Sequence, residues 1–139
     1  MEKRLRNILM CAGGLLLGVA VYLLFRENTY LSLLFQGSTF LACIRAVIDS
    51  KAVMQISFYL PDLLWSFSLC CGIQAIYLPK SSGIYAAAAV AFVCGVAWEL
   101  LQWTDLVSGT GDYWDILMYF LGSTFAIIMN IRREKNEEA

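Results

Sequence analysis

Four runs of apolar residues, each long enough to cross a lipid bilayer, constrain this sequence more than any other feature. They cover residues 8–25, 58–78, 84–103 and 113–131. A membrane-spanning helix needs about 20 mostly apolar residues, and 60% of this 139-residue chain is hydrophobic while only 15% is charged. Because lipid offers no hydrogen-bond partner to the backbone, each run is predicted to be helical. We therefore predict an all-α, polytopic membrane protein with four transmembrane helices in one domain, residues 1–139.

The basic residues indicate which way the helices cross. Positive charges concentrate on the cytoplasmic side of membrane proteins. With four spans, one side receives Lys3, Arg4, Arg6, Lys80, Arg132, Arg133 and Lys135. We expect the first apolar run to be a permanent helix rather than a cleaved signal peptide, because no small-x-small cleavage site follows it. Both the N terminus and the C terminus are therefore predicted to be cytoplasmic.

Residues 30–48 are nearly long enough to form a fifth span. However, the segment contains Gln36, Ser38, Thr39 and Arg45. A fifth span would place the two ends of the chain on opposite sides and leave one basic cluster outside, against the charge rule. We therefore predict that residues 30–48 form a re-entrant or interfacial segment on the outer side.

Polar side chains collect at the outer ends of the predicted helices. They are Asp62, Glu99, Gln102, Asp112 and Asp115, with Arg45 in the outer segment. Glu99 and Gln102 are three residues apart and share a helix face, as do Asp112 and Asp115. The short loop between the third and fourth helices predicts an antiparallel hairpin, which brings Glu99 and Asp115 to similar depths. A charge at mid-membrane costs about 3 kcal/mol, so two carboxylates within one apolar hairpin indicate a functional site. The pattern therefore predicts an outward-facing acidic pocket.

Most of these residues also have a simple structural explanation. Asp112 and Asp62 are each at a predicted helix start, where aspartate caps the N terminus. Gln102 suits an interhelical hydrogen bond, and Arg45 suits snorkelling at the interface. Histidine is absent, which removes the commonest general base and a usual zinc ligand.

The ordered set of Glu99, Gln102, Asp112, Asp115 and Gly122 forms E-x-x-Q, a short loop, D-x-x-D and a following glycine. This pattern resembles the VanZ-like membrane proteins. Residues 59–69, YLPDLLWSFSL, look like a motif of a small bacterial subgroup of that family. Arg45 is similar in position to an arginine that members carry after the first helix, although no Pro-Phe pair follows it here. The resemblance implies a bacterial plasma-membrane protein, and the family's namesake confers low-level resistance to the glycopeptide teicoplanin.

Three functions remain open at this stage. The favoured one is a non-enzymatic cell-envelope protein whose acidic pocket binds a cationic or amide-rich ligand, such as a lipid-linked envelope precursor or a glycopeptide. The second is a metal-dependent membrane hydrolase or transferase, with Glu99, Asp112 and Asp115 holding Mg²⁺ or Ca²⁺. The third is a purely structural or assembly role, in which the carboxylates pair with Arg45. The lipid bilayer is the expected partner and nucleic acid is not; no cofactor is predicted, and homo-oligomerisation stays open.

Overall fold

The computed structural model describes residues 2–25, 39, 43, 51–76 and 83–137. These form four α-helices: α1 Glu2–Phe25, α2 Lys51–Ile76, α3 Gly83–Trp103 and α4 Tyr113–Glu137. Each contains a stretch that is long and apolar enough to cross a membrane. The prediction of an all-α protein with four membrane-spanning helices is thereby confirmed. The predicted outer segment 30–48, with Arg45, lies outside the described residues.

The start of α2 differs from the prediction. The sequence pattern placed Pro61 in the first turn of a helix over residues 58–78, but α2 already begins at Lys51 and contains Pro61 in its interior. Proline is disfavoured inside helices of soluble proteins because it lacks a backbone N–H. Transmembrane helices tolerate it when neighbouring helices surround the site, and Pro61 is buried. The prediction that Asp62 caps a helix N terminus is therefore wrong.

Helix α2 lies at the centre of the bundle, where it packs against α1, α3 and α4, and α3 also packs against α4. Among the described helices, α1 contacts α2 alone. The Asn7 side chain donates to Gln74 Oε1 at 3.1 Å, which pairs the start of α1 with the end of α2. Ser66 on α2 and Ser123 on α4 share a hydrogen bond of 2.8 Å. Four residues earlier on each helix, Asp62 meets Tyr119, so α2 and α4 run parallel.

Glycines allow the helices to approach closely at three places. A Cβ atom at Gly14 of α1 would overlap the Ser68 hydroxyl on α2, and one at Gly95 of α3 would overlap the Tyr119 ring on α4. Gly122 of α4 lies against the backbone carbonyl oxygen of Leu63. Small residues serve this purpose in membrane helix packing, where contact area rather than a hydrophobic force between helices drives association. These contacts bring α1 close to α2, α3 close to α4, and α4 close to α2.

Candidate functional site

The side chain of Tyr119 joins three helices near the α3–α4 connection, residues 104–112, which we call the loop end of the bundle. Its hydroxyl, which has one hydrogen to donate, lies within hydrogen-bond distance of Glu99 Oε1 on α3 at 2.9 Å and of Asp62 Oδ1 on α2 at 3.1 Å. Tyr119 is 3% exposed and Glu99 is 1% exposed, so the contact between them is shielded from water, whereas Asp62 is half-buried. We call Asp62, Glu99 and Tyr119 the carboxylate cluster.

The second oxygen of Glu99 is also engaged. Glu99 Oε2 accepts a hydrogen bond of 3.0 Å from the backbone N–H of Asp112, immediately before α4. Backbone N–H groups at a helix start lack intrahelical partners and carry partial positive charge, which favours a carboxylate there. Asp112 in turn accepts from the N–H of Trp114 at 3.0 Å. The prediction that Asp112 caps α4 is confirmed, and Glu99 ties α3 to the same helix start.

The position of Tyr119 is set by packing on every side. Its ring lies against Gly95, where any side chain would overlap it, and Trp65 meets it edge-on at a centroid distance of 5.8 Å. Ser66, which is fully buried, donates to the backbone carbonyl of Tyr119 at 2.8 Å and also pairs with Ser123. These contacts restrict the Tyr119 ring, which keeps its hydroxyl beside the two carboxylates.

Gln102 serves the loop rather than the cluster. In the amide orientation that satisfies both neighbours, Gln102 Nε2 donates to the Thr110 carbonyl at 3.2 Å and Oε1 accepts from Trp98 Nε1 at 2.8 Å. Its side chain also covers Gly109, whose φ of 150° disfavours other residues. Gln102, predicted as a ligand-binding or interhelical residue, thus braces the α3–α4 connection.

Asp115 lies in the first turn of α4 and is half-buried. Together with Glu99 and Asp112 it was predicted to hold Mg²⁺ or Ca²⁺. Within residues 2–25, 51–76 and 83–137, no three acidic, cysteine or histidine side chains are grouped so that they could hold a metal ion. The metal alternative stays a prediction, and Arg45 lies outside the described residues.

A largely apolar groove lies between α2 and α4. It has a volume of about 420 Å³ and is lined by Ile56, Tyr59, Leu60, Leu63, Trp114 and Met118. Two lining residues are direct chain neighbours of the cluster, because Leu63 follows Asp62 and Met118 precedes Tyr119. Because successive residues of a helix point to different faces, the groove and the carboxylate cluster use different faces of the same two helices.

Sequence reasoning did not select Tyr119 as a site residue, although it is the only side chain that reaches both Glu99 and Asp62 in the described structure. A signal for it was present. Tyr119 is four residues after Asp115, so the two share a face of α4. The spacing along α4 does not show how α2 and α3 are rotated about their own axes. That rotation brings Asp62 and Glu99 to the face of α4 that carries Tyr119.

Searches against protein-family models, curated proteins and solved structures find no match for this chain. The resemblance to VanZ-like proteins therefore rests on its motif residues. Four of these have structural roles. Glu99 holds the start of α4 and Asp112 caps it, Gln102 braces the α3–α4 connection, and Gly122 allows α4 to touch the backbone of α2.

Proposed function

We propose that this chain is a multi-pass protein of the bacterial plasma membrane, similar to VanZ-like proteins, that binds a cell-envelope ligand at its outer face. The carboxylate cluster is the observation that supports this. It places two acidic side chains and a tyrosine hydroxyl on three helices that each contain an apolar stretch long enough to cross a membrane. Acidic groups inside membrane segments are costly and usually serve a function.

The cluster favours a ligand that carries hydrogen-bond donors or positive charge. Ionised carboxylates accept hydrogen bonds only, so an ammonium or amide N–H group is their natural partner. Asp62, which is half-buried, is the member that such a group reaches, whereas the fully buried Glu99 fixes Tyr119 beside it. Amine- and amide-rich envelope components fit this chemistry, including lipid-linked precursors and glycopeptides.

Ligand binding is tested on the purified full chain with two water-soluble probes, glycerophosphoethanolamine and teicoplanin. We expect at least one to bind, and Asp62→Asn to weaken that binding about tenfold or more, since a hydrogen bond to a charged group is worth about 1.5–3 kcal/mol. Asp105→Asn is the matched control, because it removes one negative charge from the exposed loop. Asparagine also tolerates the positive φ of 55° at that position.

Failure of both probes to bind, or equal binding by wild type and Asp62→Asn, contradicts the proposal. Teicoplanin susceptibility of a bacterial host that expresses each variant gives a second measurement. If the chain contributes to resistance through this pocket, Asp62→Asn lowers the resistance while Asp105→Asn preserves it.

A purely structural role is the second candidate, and one observation favours it. Both carboxylate oxygens of Glu99 already have protein partners, the Tyr119 hydroxyl and the Asp112 N–H. Under this alternative, Glu99→Gln and Asp62→Asn lower stability in detergent, and neither probe binds any variant.

A further inference from the structure

We propose that the end of the bundle opposite the loop end binds an anionic phospholipid, with the lipid phosphate at the start of α1 and an acyl chain along the exposed face of the same helix. This site is separate from the carboxylate cluster, and the inference goes beyond the proposed function. Three observations support it: the unequal charge of the two ends of the bundle, the exposure of α1, and the spacing of its basic and apolar side chains.

Charge is distributed unequally between the two ends of the bundle. The start of α1 and the end of α4 lie opposite the loop end, and we call that end of the bundle the basic end. Within the described helices, the basic residues of this end are Lys3, Arg4, Arg6, Arg132, Arg133 and Lys135. The acidic residues of the same end are Glu2, Glu134 and Glu137.

The loop end has the opposite sign of charge. Within the described residues, its acidic side chains are Asp62, Glu99, Asp105, Asp112 and Asp115, and its basic residue is Lys51. Clusters of lysine and arginine beside a membrane helix attract lipids with anionic headgroups. An anionic lipid is therefore favoured at the basic end and disfavoured at the loop end.

Helix α1 is the helix that presents most of its surface to lipid. Among the described helices it contacts α2 alone, and 11% of its apolar window is buried, against at least 28% for each of the other three spans. The hydrogen bond between Asn7 and Gln74 fixes the first two turns of α1 against the end of α2. The basic residues in these turns are therefore held in place beside the surrounding lipid.

The side chains at the start of α1 match the two parts of a phospholipid. Lys3 and Arg4 are exposed and Arg6 is half-buried, and a guanidinium group binds a phosphate through two parallel hydrogen bonds. Arg4 and Ile8 are four residues apart, so they share a face of the helix. Ile8 and its neighbour Leu9 are 46% and 62% exposed. A lipid whose phosphate is bound at Arg4 therefore meets apolar surface one turn further into the membrane, where its acyl chain packs.

The headgroup preference is measured by native mass spectrometry of the full chain released from detergent micelles. The two probes are phosphatidylglycerol and phosphatidylcholine with identical acyl chains. Phosphatidylglycerol has a net negative charge and phosphatidylcholine has none, so we expect phosphatidylglycerol to bind about tenfold more tightly or better. Equal affinity for the two lipids overturns the assignment of an anionic headgroup.

The position of the site is tested with charge-removing substitutions. Lys3 and Arg6 also take part in interactions within the protein, so Arg4 is the residue to replace. Arg4→Gln should weaken phosphatidylglycerol binding about fivefold, because one basic residue near an anionic headgroup contributes about 1 kcal/mol. Binding of phosphatidylcholine should not change. Size-exclusion profiles and circular dichroism verify that the variant is folded.

Two control variants remove the same charge elsewhere. Lys51→Gln changes the loop end, and Arg132→Gln changes the basic end on α4, away from α1. Both should bind phosphatidylglycerol more tightly than Arg4→Gln does. Unchanged binding by Arg4→Gln, or a loss of the same size in either control, overturns the placement of the site on α1.

The contribution of the acyl chain is tested with glycerophosphoglycerol, which has the same headgroup and no chains. Each methylene group that packs on an apolar surface adds to the affinity, so an excess of about tenfold of this soluble probe should leave phosphatidylglycerol bound. Displacement of the lipid by the soluble headgroup would show that the apolar face of α1 has no part in the site.

Discussion

At the scale of single residues, the Tyr119 hydroxyl links α2, α3 and α4 through a buried contact with Glu99 and a partly buried one with Asp62. Tyr119→Phe keeps the ring packing against Gly95 and removes only that oxygen. Glu99 Oε1 then loses its donor in a site from which water is excluded, and we expect the free energy of unfolding to fall by about 1–3 kcal/mol. Urea titration of the detergent-solubilised protein, followed by circular dichroism, measures it.

Tyr85→Phe provides the comparison for this residue. Tyr85 lies on α3 and is 57% exposed on the surface of the bundle, so removal of its hydroxyl should change stability by less than about 0.5 kcal/mol. A loss for Tyr119→Phe no greater than the loss for Tyr85→Phe would show that the cluster does not hold the three helices together.

At the scale of helices, the close approach of α2 and α4 depends on Gly122. A Cβ atom there would overlap the Leu63 carbonyl oxygen, and neither backbone moves aside cheaply. Gly122→Ala should therefore separate the two helices and lower stability by about 1–3 kcal/mol, as overpacking does in cores. The midpoint of thermal unfolding in detergent provides the measurement.

Gly13→Ala is the corresponding control on α1, because no neighbouring atom lies within 4 Å of a Cβ placed there. Alanine is favoured over glycine inside a helix by about 0.5–1 kcal/mol, so this variant should be as stable as wild type or slightly more stable. If both glycine substitutions have the same effect, the α2–α4 contact is looser than the structure indicates.

At the scale of the whole molecule, the helix directions place the start of α1 and the end of α4 at the end of the bundle opposite the loop end. Combined with the basic residues near both termini, this arrangement predicts that the loop end faces outward. A membrane-impermeant maleimide should label Ser108→Cys in intact cells, and Lys3→Cys only after permeabilisation. Both residues are exposed.

The labelling background replaces Cys11, Cys43 and Cys94 by alanine and retains the fully buried Cys70 and Cys71. Equal labelling of the two introduced cysteines from outside would disprove the assigned orientation. Labelling of Lys3→Cys alone would mean that the molecule is inverted, and the carboxylate cluster would then face the cytoplasm.

Structural features that depend on one short stretch of the chain could be predicted from the sequence. An apolar run of sufficient length must become a helix in lipid, because its backbone has no other hydrogen-bond partner, and the starts of α3 and α4 fall within one residue of expectation. The capping of α4 by Asp112 depends on a residue only two positions away, Trp114. The start of α2 was not predictable in this way, since Pro61 lowers helix propensity locally while packing in the bundle overrides it.

The sequence by itself determined the four membrane-spanning helices, the α3–α4 hairpin and the cap of α4, because each depends on hydrophobicity or spacing along a single segment. Only the tertiary structure decided that Asp62 and Glu99 meet at Tyr119 and that Gly122 touches Leu63. These contacts depend on how each helix is rotated and shifted against its neighbours. A helix that is apolar on every face shows no stripe to indicate which side points inward, so the rotation is fixed by close packing and buried hydrogen bonds between helices.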